Sequence, residues 1–263
     1  MGLDATVRCR CWEDGLCAPT RLKSHIHIDA GSNSLDIDLP WETFKDEILE
    51  FDQWVIYACA HPEMMQASEW IANWAGVRAL QNALRTAGEN EFAGLLRELP
   101  NNNGGLTFPE AARSCLKELD RFELVGVFGH YAELVDSETG TLIAERIEAY
   151  DGWFQSNGST GYEFSLEADG HLRIRHAQLG TVFRAKEFGQ TKVSGKEFIY
   201  TDLTNGARCI CPDGLQNHQT FDYPLMLKGV VGFDSASRYA YSIAALRRVF
   251  SAAIEVNHPV SWR

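Results

Sequence analysis

The 263 residues carry 36 Asp and Glu against 24 Lys and Arg, a formal net charge of −12, with 45% hydrophobic and 23% charged residues. Those proportions exclude a disordered chain as the default, and the acidic surface disfavours phosphate backbones and anionic lipid while attracting basic partners. No stretch approaches the ~20 apolar residues needed to cross a bilayer, and seven cysteines form an odd, sparse set that fits reduced thiols better than a disulfide scaffold.

Leu3, Ala5, Val7, Cys9 and Cys11 alternate with Asp4, Thr6, Arg8 and Arg10, which predicts a half-buried strand. Two short strands, His25 to Asp29 and Leu35 to Leu39, follow around the turn-forming Gly31-Ser32-Asn33-Ser34. From Trp41 to Cys115 the reading is helical. Phe44, Ile48, Phe51 and Val55 mark a helix over 42–58, ended by Pro62. Trp74, Val77, Leu80 and Leu84 mark a second, with Asn73 as its cap and Gly88 at its end. Trp70 and Trp74 share a helical spacing, as do Phe51 and Trp54. A short helix over Glu89 to Leu99 breaks at Pro100 and Asn101 to Gly105, and Thr107-Phe108-Pro109-Glu110 reads as a capping box opening the next helix, which runs to Leu119 or Phe122.

Residues 124–212 read as β. Around Asp169-Gly170 a three-residue loop ending at His171 pairs Leu166 with Ile174 and Phe164 with His176, and sets Glu167 opposite Arg173. Lys196 to Leu203 and Ala207 to Cys211 flank Asn205-Gly206 as a second hairpin, and the isolated Gly126, Gly129, Gly229 and Gly232 read as bulges. Tyr239, Ile243, Leu246, Phe250 and Ala253 predict a C-terminal helix capped by Ser235 or Ser237 and ended by Pro259.

The order of elements predicts an α+β fold with an antiparallel sheet. A helical segment at about 41–122 is inserted between N-terminal strands and a β-region at about 124–233, and a helix over about 236–255 follows. One cooperative domain is expected, with the 100–106 loop as its best internal boundary.

Arg8-Cys9-Arg10-Cys11 and Arg208-Cys209-Ile210-Cys211 are the chemically distinctive segments. Four thiolates would satisfy tetrahedral zinc, with Cys17, His25 and His27 as further donors. Geometry opposes it if both pairs are extended. Residues i and i+2 of a strand stand roughly 6.5–7 Å apart, whereas two sulfurs on one zinc stand about 3.8 Å apart. Buried thiols on the apolar strand faces are the competing reading, and the favoured one. His25 and His27 with Asp29 share one strand face, which reads as the wet face of an edge strand or as a metal stripe. Cys59-Ala60-His61-Pro62-Glu63 holds a thiol–imidazole pair at a helix end. Its His-x-Glu is half of a zinc deaminase signature, but the Pro-Cys-x-x-Cys half is missing. Phosphate-binding glycine loops and a Gly-x-Ser-x-Gly elbow are missing too.

Met1-Gly2-Leu3-Asp4 with Cys9-x-Cys11, Ile71-Ala72-Asn73-Trp74 and Leu99 to Thr107 resemble landmarks of a group of bacterial cytoplasmic proteins, some of which look like immunity proteins of polymorphic toxin systems. The resemblance covers mainly the N-terminal half and transfers no functional residue. With the net charge of −12, the missing catalytic motifs and a single cytoplasmic domain, the expectation is a non-catalytic protein that binds a basic partner such as a toxin domain, with no cofactor. The densest acidic cluster, Asp36, Asp38, Glu42, Asp46 and Glu47, is the candidate binding face. The alternative is a metal- or thiol-dependent enzyme, with zinc held by residues drawn from Cys9, Cys11, Cys209, Cys211, His25 and His27, or with Cys59 and His61 in the same N-terminal cluster.

Overall fold

The computed structural model describes residues 2–195, 197–217 and 220–263. Met1 of the resembling N-terminal segment and Lys196 of the predicted 196–203 strand therefore lie outside the described residues. In chain order the first elements are β1 (Gly2–Arg8), β2 (Ile26–Ile28), β3 (Leu35–Ile37), α1 (Lys45–Tyr57), β4 (Met65–Asn73), α2 (Trp74–Gly88), α3 (Ala93–Glu98), β5 (Leu106–Thr107) and α4 (Pro109–Leu124). Strands follow: β6 (Val127–Asp136), β7 (Leu142–Glu145), β8 (Trp153–Asn157), β9 (Tyr162–Leu166), β10 (Leu172–His176), β11 (Gly180–Ala185), β12 (Glu187–Ser194), β13 (Glu197–Asp202), β14 (Arg208–Cys211) and β15 (Met226–Ser235). Then come α5 (Ala240–Val256) and β16 (Val260–Trp262). The architecture is α+β with antiparallel sheets, a helical segment ahead of the long β-region and a C-terminal helix, as the element order predicts. No helix among the described residues is long and apolar enough to cross a membrane.

Contacts group the chain into two compact units, Met1–Gly126 with Ala236–Arg263, and Val127–Ser235. The division falls at 126/127 and 235/236, not in the 100–106 loop. That loop is tied down, because the Gly104 N–H donates to the Trp262 carbonyl (3.0 Å) and the Trp262 N–H to that of Gly105 (3.2 Å).

In the first unit the sheet order is β4-β1-β16-β5. The predicted stripe of α5 is buried at Ile243, Leu246, Phe250 and Ala253, and the Ser242 hydroxyl donates to the Ile71 carbonyl of β4 (2.9 Å). Asn73 caps α2 by accepting the Gly76 N–H (2.7 Å), as predicted. Two local readings yield to non-local pairing. Residues 65–73 form a strand rather than a helix, because they pair antiparallel with β1 from Gly2↔Asn73 to Arg8↔Met65. Trp70 therefore sits on a strand against Tyr241, at 5.8 Å between rings, and shares no helical stripe with Trp74. Thr107 makes no capping box: buried in β5, its hydroxyl accepts the Trp262 indole N–H (3.0 Å), and α4 starts without a side-chain cap.

In the second unit a six-stranded sheet, β14-β13-β12-β15-β6-β7, and a four-stranded one, β11-β10-β9-β8, contribute to one buried cluster. Phe164, Phe183, Phe188 and Tyr200 stack within it at about 6 Å between rings. The β9–β10 hairpin differs from the predicted register by two residues: Leu166 opposes Leu172 and Phe164 opposes Ile174, closed by Glu167 N–H to His171 O (2.8 Å) around Ala168-Asp169-Gly170. A shift of two leaves each side chain on its predicted face, so the apolar face still reaches the core. Gly229 is not a bulge. It pairs in register with Leu134, and its missing side chain admits the Gly170 carbonyl, which would lie 1.6 Å from an added Cβ.

Candidate metal centre

The first arm of the centre is the end of β1. Cys9 still donates its N–H to the Met64 carbonyl (2.8 Å). The strand then turns: Asp14 N–H bonds the Arg10 carbonyl (2.9 Å), Leu16 N–H the Cys11 carbonyl (2.8 Å), and Gly15 takes φ +69°. Cys9 and Cys11 are thus not neighbours on an extended face, which removes the geometric objection to their sharing a metal.

What forces the turn is a buried cation. Arg8 is 4% exposed. Its guanidinium donates to the Asn33 carbonyl (2.9 Å) and in a fork to the Glu13 carboxylate. Glu13 also faces the His258 Nε2 at 3.2 Å, while His258 Nδ1 lies 2.9 Å from the Arg8 carbonyl. Burial opposes ionisation of Glu13, but the bonds from Arg8 outweigh it and hold the carboxyl below its usual range. A buried guanidinium must be paired, so residue 13 has to fold back over residue 8.

The second arm is the C-terminal end of α1. Ala58 is buried and its carbonyl accepts the Ala18 N–H (2.6 Å). The His61 N–H points at the Cys59 sulfur (3.4 Å). Beyond Pro62 the chain reverses through Glu63 and Met64, both in the left-handed region at φ 53° and 57°, before entering β4. Two adjacent non-glycine residues there carry backbone strain that the surroundings must offset.

The arms meet at four donor atoms. Cys9 Sγ is 3.7 Å from Cys59 Sγ, Cys11 Sγ is 3.4 Å from His61 Nδ1, and Cys59 Sγ is 3.9 Å from the same nitrogen. All four donors lie within 4.8 Å of one another. A tetrahedral zinc with Zn–S ≈ 2.3 Å and Zn–N ≈ 2.05 Å requires S···S edges of about 3.8 Å and S···N edges of about 3.5 Å. The three measured edges lie within about 0.4 Å of those values. Cys9 and Cys11 are buried, Cys59 and His61 half-buried, so the site is walled by protein.

Burial pushes the Cys9 thiol up to about 12 and Cys17 up to about 11, and raises Cys11 as well. Thiols held protonated are poor nucleophiles. Without a metal Cys9 and Cys11 are therefore poor nucleophiles; as ligands they need a cation to displace their protons.

Of the residues singled out from sequence as metal ligands, Cys9 and Cys11 belong to the centre. Cys59 and His61 complete it. His27 stands exposed on β2, whereas exposed His25 ends a short 3-10 turn (Lys23–His25) before that strand, so the expected strand face of His25, His27 and Asp29 does not form; Cys209 and Cys211 lie on β14 in the other unit, and none of these joins a metal-competent group among the described residues. Cys9, Cys11 and Cys211 are buried, as the competing reading holds, but Cys209 is only half-buried. The other such group, Glu167, Asp169 and His171, is an ion-pair network instead, since Arg184 binds both carboxylates and Arg173 also reaches Glu167.

Asp36, Asp38, Glu42 and Asp46 are exposed and Glu47 half-buried; among the described residues none of the five forms an ion pair, although Arg21, paired with Glu50, also feels the charge of Glu47. Asp46 and Glu47 occupy the first turn of α1, where the helix dipole favours negative charge. Trp41, Phe44 and Leu49 are exposed along the same stretch. The centre braces these segments. Trp12, next to Cys11, packs edge-on against Trp54 of α1 at 5.8 Å, and Leu35 of β3 joins both small apolar clusters that contain these two rings. No family model matches the sequence, and neither a curated protein nor a solved structure matches the chain.

Proposed function

We propose that this is a zinc-binding protein in which Cys9, Cys11, Cys59 and His61 hold one structural Zn²⁺, and that the braced acidic segments form a binding face for a basic protein such as a toxin domain. The observation that carries the metal reading is the convergence of three sulfurs and one imidazole nitrogen at tetrahedral spacing. Four protein donors fill the coordination sphere, whereas catalytic zinc keeps one position for water or substrate. That supports a structural rather than an enzymatic role. Seven free cysteines and a thiolate-rich site suit a reducing cytoplasm.

The binding reading is supported by carboxylates that form no ion pair among the described residues, along a stretch that exposes Trp41, Phe44 and Leu49. Unpaired charge of one sign accelerates encounter with an oppositely charged partner, and aromatic anchors supply affinity.

Elemental analysis of protein purified without chelator tests the metal reading: one zinc per chain, lost in Cys11→Ser, supports it, and protein that is metal-free as purified and takes up no zinc when offered it contradicts it. Coexpression with the toxin-like product of an adjacent gene tests the partner reading. Relief of toxicity that Asp36→Lys with Asp46→Lys abolishes supports it. Unrelieved toxicity with no complex overturns it.

A further inference from the structure

The second Cys-x-Cys segment has a different chemistry from the first. Arg208–Cys211 is the edge strand β14, paired on one side with β13 through Tyr200↔Cys209 and Phe198↔Cys211. Alternation sends Ile210 outward, 60% exposed, and turns both sulfurs to the other face. There Cys209 Sγ and Cys211 Sγ stand 3.5 Å apart, in contact but unbonded. Among the described residues no third metal donor approaches them. The two thiols are unequal: Cys211 is 1% exposed in the core of its unit, and Cys209 is half-buried and reachable from the strand edge.

We propose that Cys209 and Cys211 are a redox-active dithiol that exchanges with low-molecular-weight disulfides of the glutathione disulfide class. The Cys209 thiolate attacks one sulfur of the disulfide, forming a mixed disulfide and expelling one small thiolate. Cys211 gives up its proton and attacks the Cys209 sulfur, forming the Cys209–Cys211 bond and expelling the second thiolate. The protein loses two protons and two electrons, which convert one small disulfide into two small thiols. The roles follow from exposure: a small disulfide meets half-buried Cys209 before Cys211, which is 1% exposed. Contact with the Cys211 sulfur lowers the Cys209 pKa, and the same contact, with burial, raises that of Cys211.

Extended residues i and i+2 lie roughly 6.5–7 Å apart at Cα, at or past the ~6.8 Å limit of ordinary disulfides. The bond therefore forms under strain, which an edge strand can relieve by bending, and strained disulfides are the readily reduced ones. The site is thus a reversible one, not a structural cross-link.

The test uses the full zinc-loaded chain, exposed to glutathione disulfide, acid-quenched, alkylated and digested, with mass analysis of the peptide holding both thiols. The expected product is that peptide short of two hydrogens, restored by mild reductant. Cys211→Ser should instead accumulate a glutathione adduct at Cys209, and Cys209→Ser should react at least about tenfold more slowly. A wild-type chain that stalls as the Cys209 adduct, or whose two thiols stay fully alkylatable under about a hundredfold excess of oxidised over reduced glutathione, overturns the proposal without any variant.

Discussion

The Cys9 sulfur stands 3.7 Å from that of Cys59 across 50 residues of chain. Only the turn after β1 on one side, and the reversal after α1 on the other, bring them together. A metal at this point closes a long loop, and because it binds the folded arrangement and not the open chain, its binding energy becomes folding energy. Cys59→Ser is therefore expected to abolish stoichiometric zinc and to cost about 3–4 kcal/mol or more. At roughly 2–4 °C per kcal/mol this lowers Tm by ~10 °C, read by calorimetry on wild type and variant prepared alike.

The loaded and stripped forms should respond to pH with opposite sign. Burial raises the Cys9 thiol from 9.0 to about 12 in the metal-free fold. A raised folded-state pKa contributes stability below the unfolded value, and that contribution is lost as pH climbs through the folded one. Stripped protein should therefore melt at progressively lower temperature between pH 9 and pH 12. In the loaded form protons compete with zinc for the same thiolates, so Tm should fall on acidification, below about pH 6. Melting curves across both ranges, with and without chelator, separate the two slopes.

Glu13 is the clamp on the metal knuckle. Glu13→Gln keeps a hydrogen-bond acceptor but leaves the buried Arg8 guanidinium without its counter-charge. A loss of ~1–3 kcal/mol in urea unfolding is expected, with faster zinc release to a chromogenic chelator. Unchanged stability together with unchanged release would show that the turn is held by the metal alone.

Gly229→Ala should be among the most damaging conservative changes in the second unit. The new Cβ would fall 1.6 Å from the Gly170 carbonyl oxygen, which is backbone and cannot rotate away. A cost of about 3 kcal/mol or more follows. Circular dichroism melts provide the comparison, with Gly195→Ala, whose added Cβ meets nothing within 4 Å, as a milder control.

The helices and the core faces of β9 and β10 were legible because local period decides them, whereas β1, expected half-buried, also buries Thr6 and Arg8 of its polar face. Phe51 on α1, the Asn73 cap and the α5 stripe all stand where spacing places them. Non-local choices were not legible. Residues 65–73 become strand because β1, some sixty residues earlier, pairs with them. The metal centre was half legible. Cys9 and Cys11 advertised themselves as a pair, but as strand neighbours, since nothing local reveals that buried Arg8 pulls Glu13 back and ends the strand. The twin motif at Cys209 and Cys211 drew the four-thiolate reading away from Cys59 and His61, an equally spaced pair just past a helix end that completes the candidate set.

X-ray absorption at the zinc edge tests the central claim most directly, because it counts the donors. The account predicts a first shell of three sulfurs at about 2.3 Å and one imidazole nitrogen at about 2.0–2.1 Å, with Cys59→Ser losing the metal. A shell with coordinated water, or one dominated by oxygen, would contradict it.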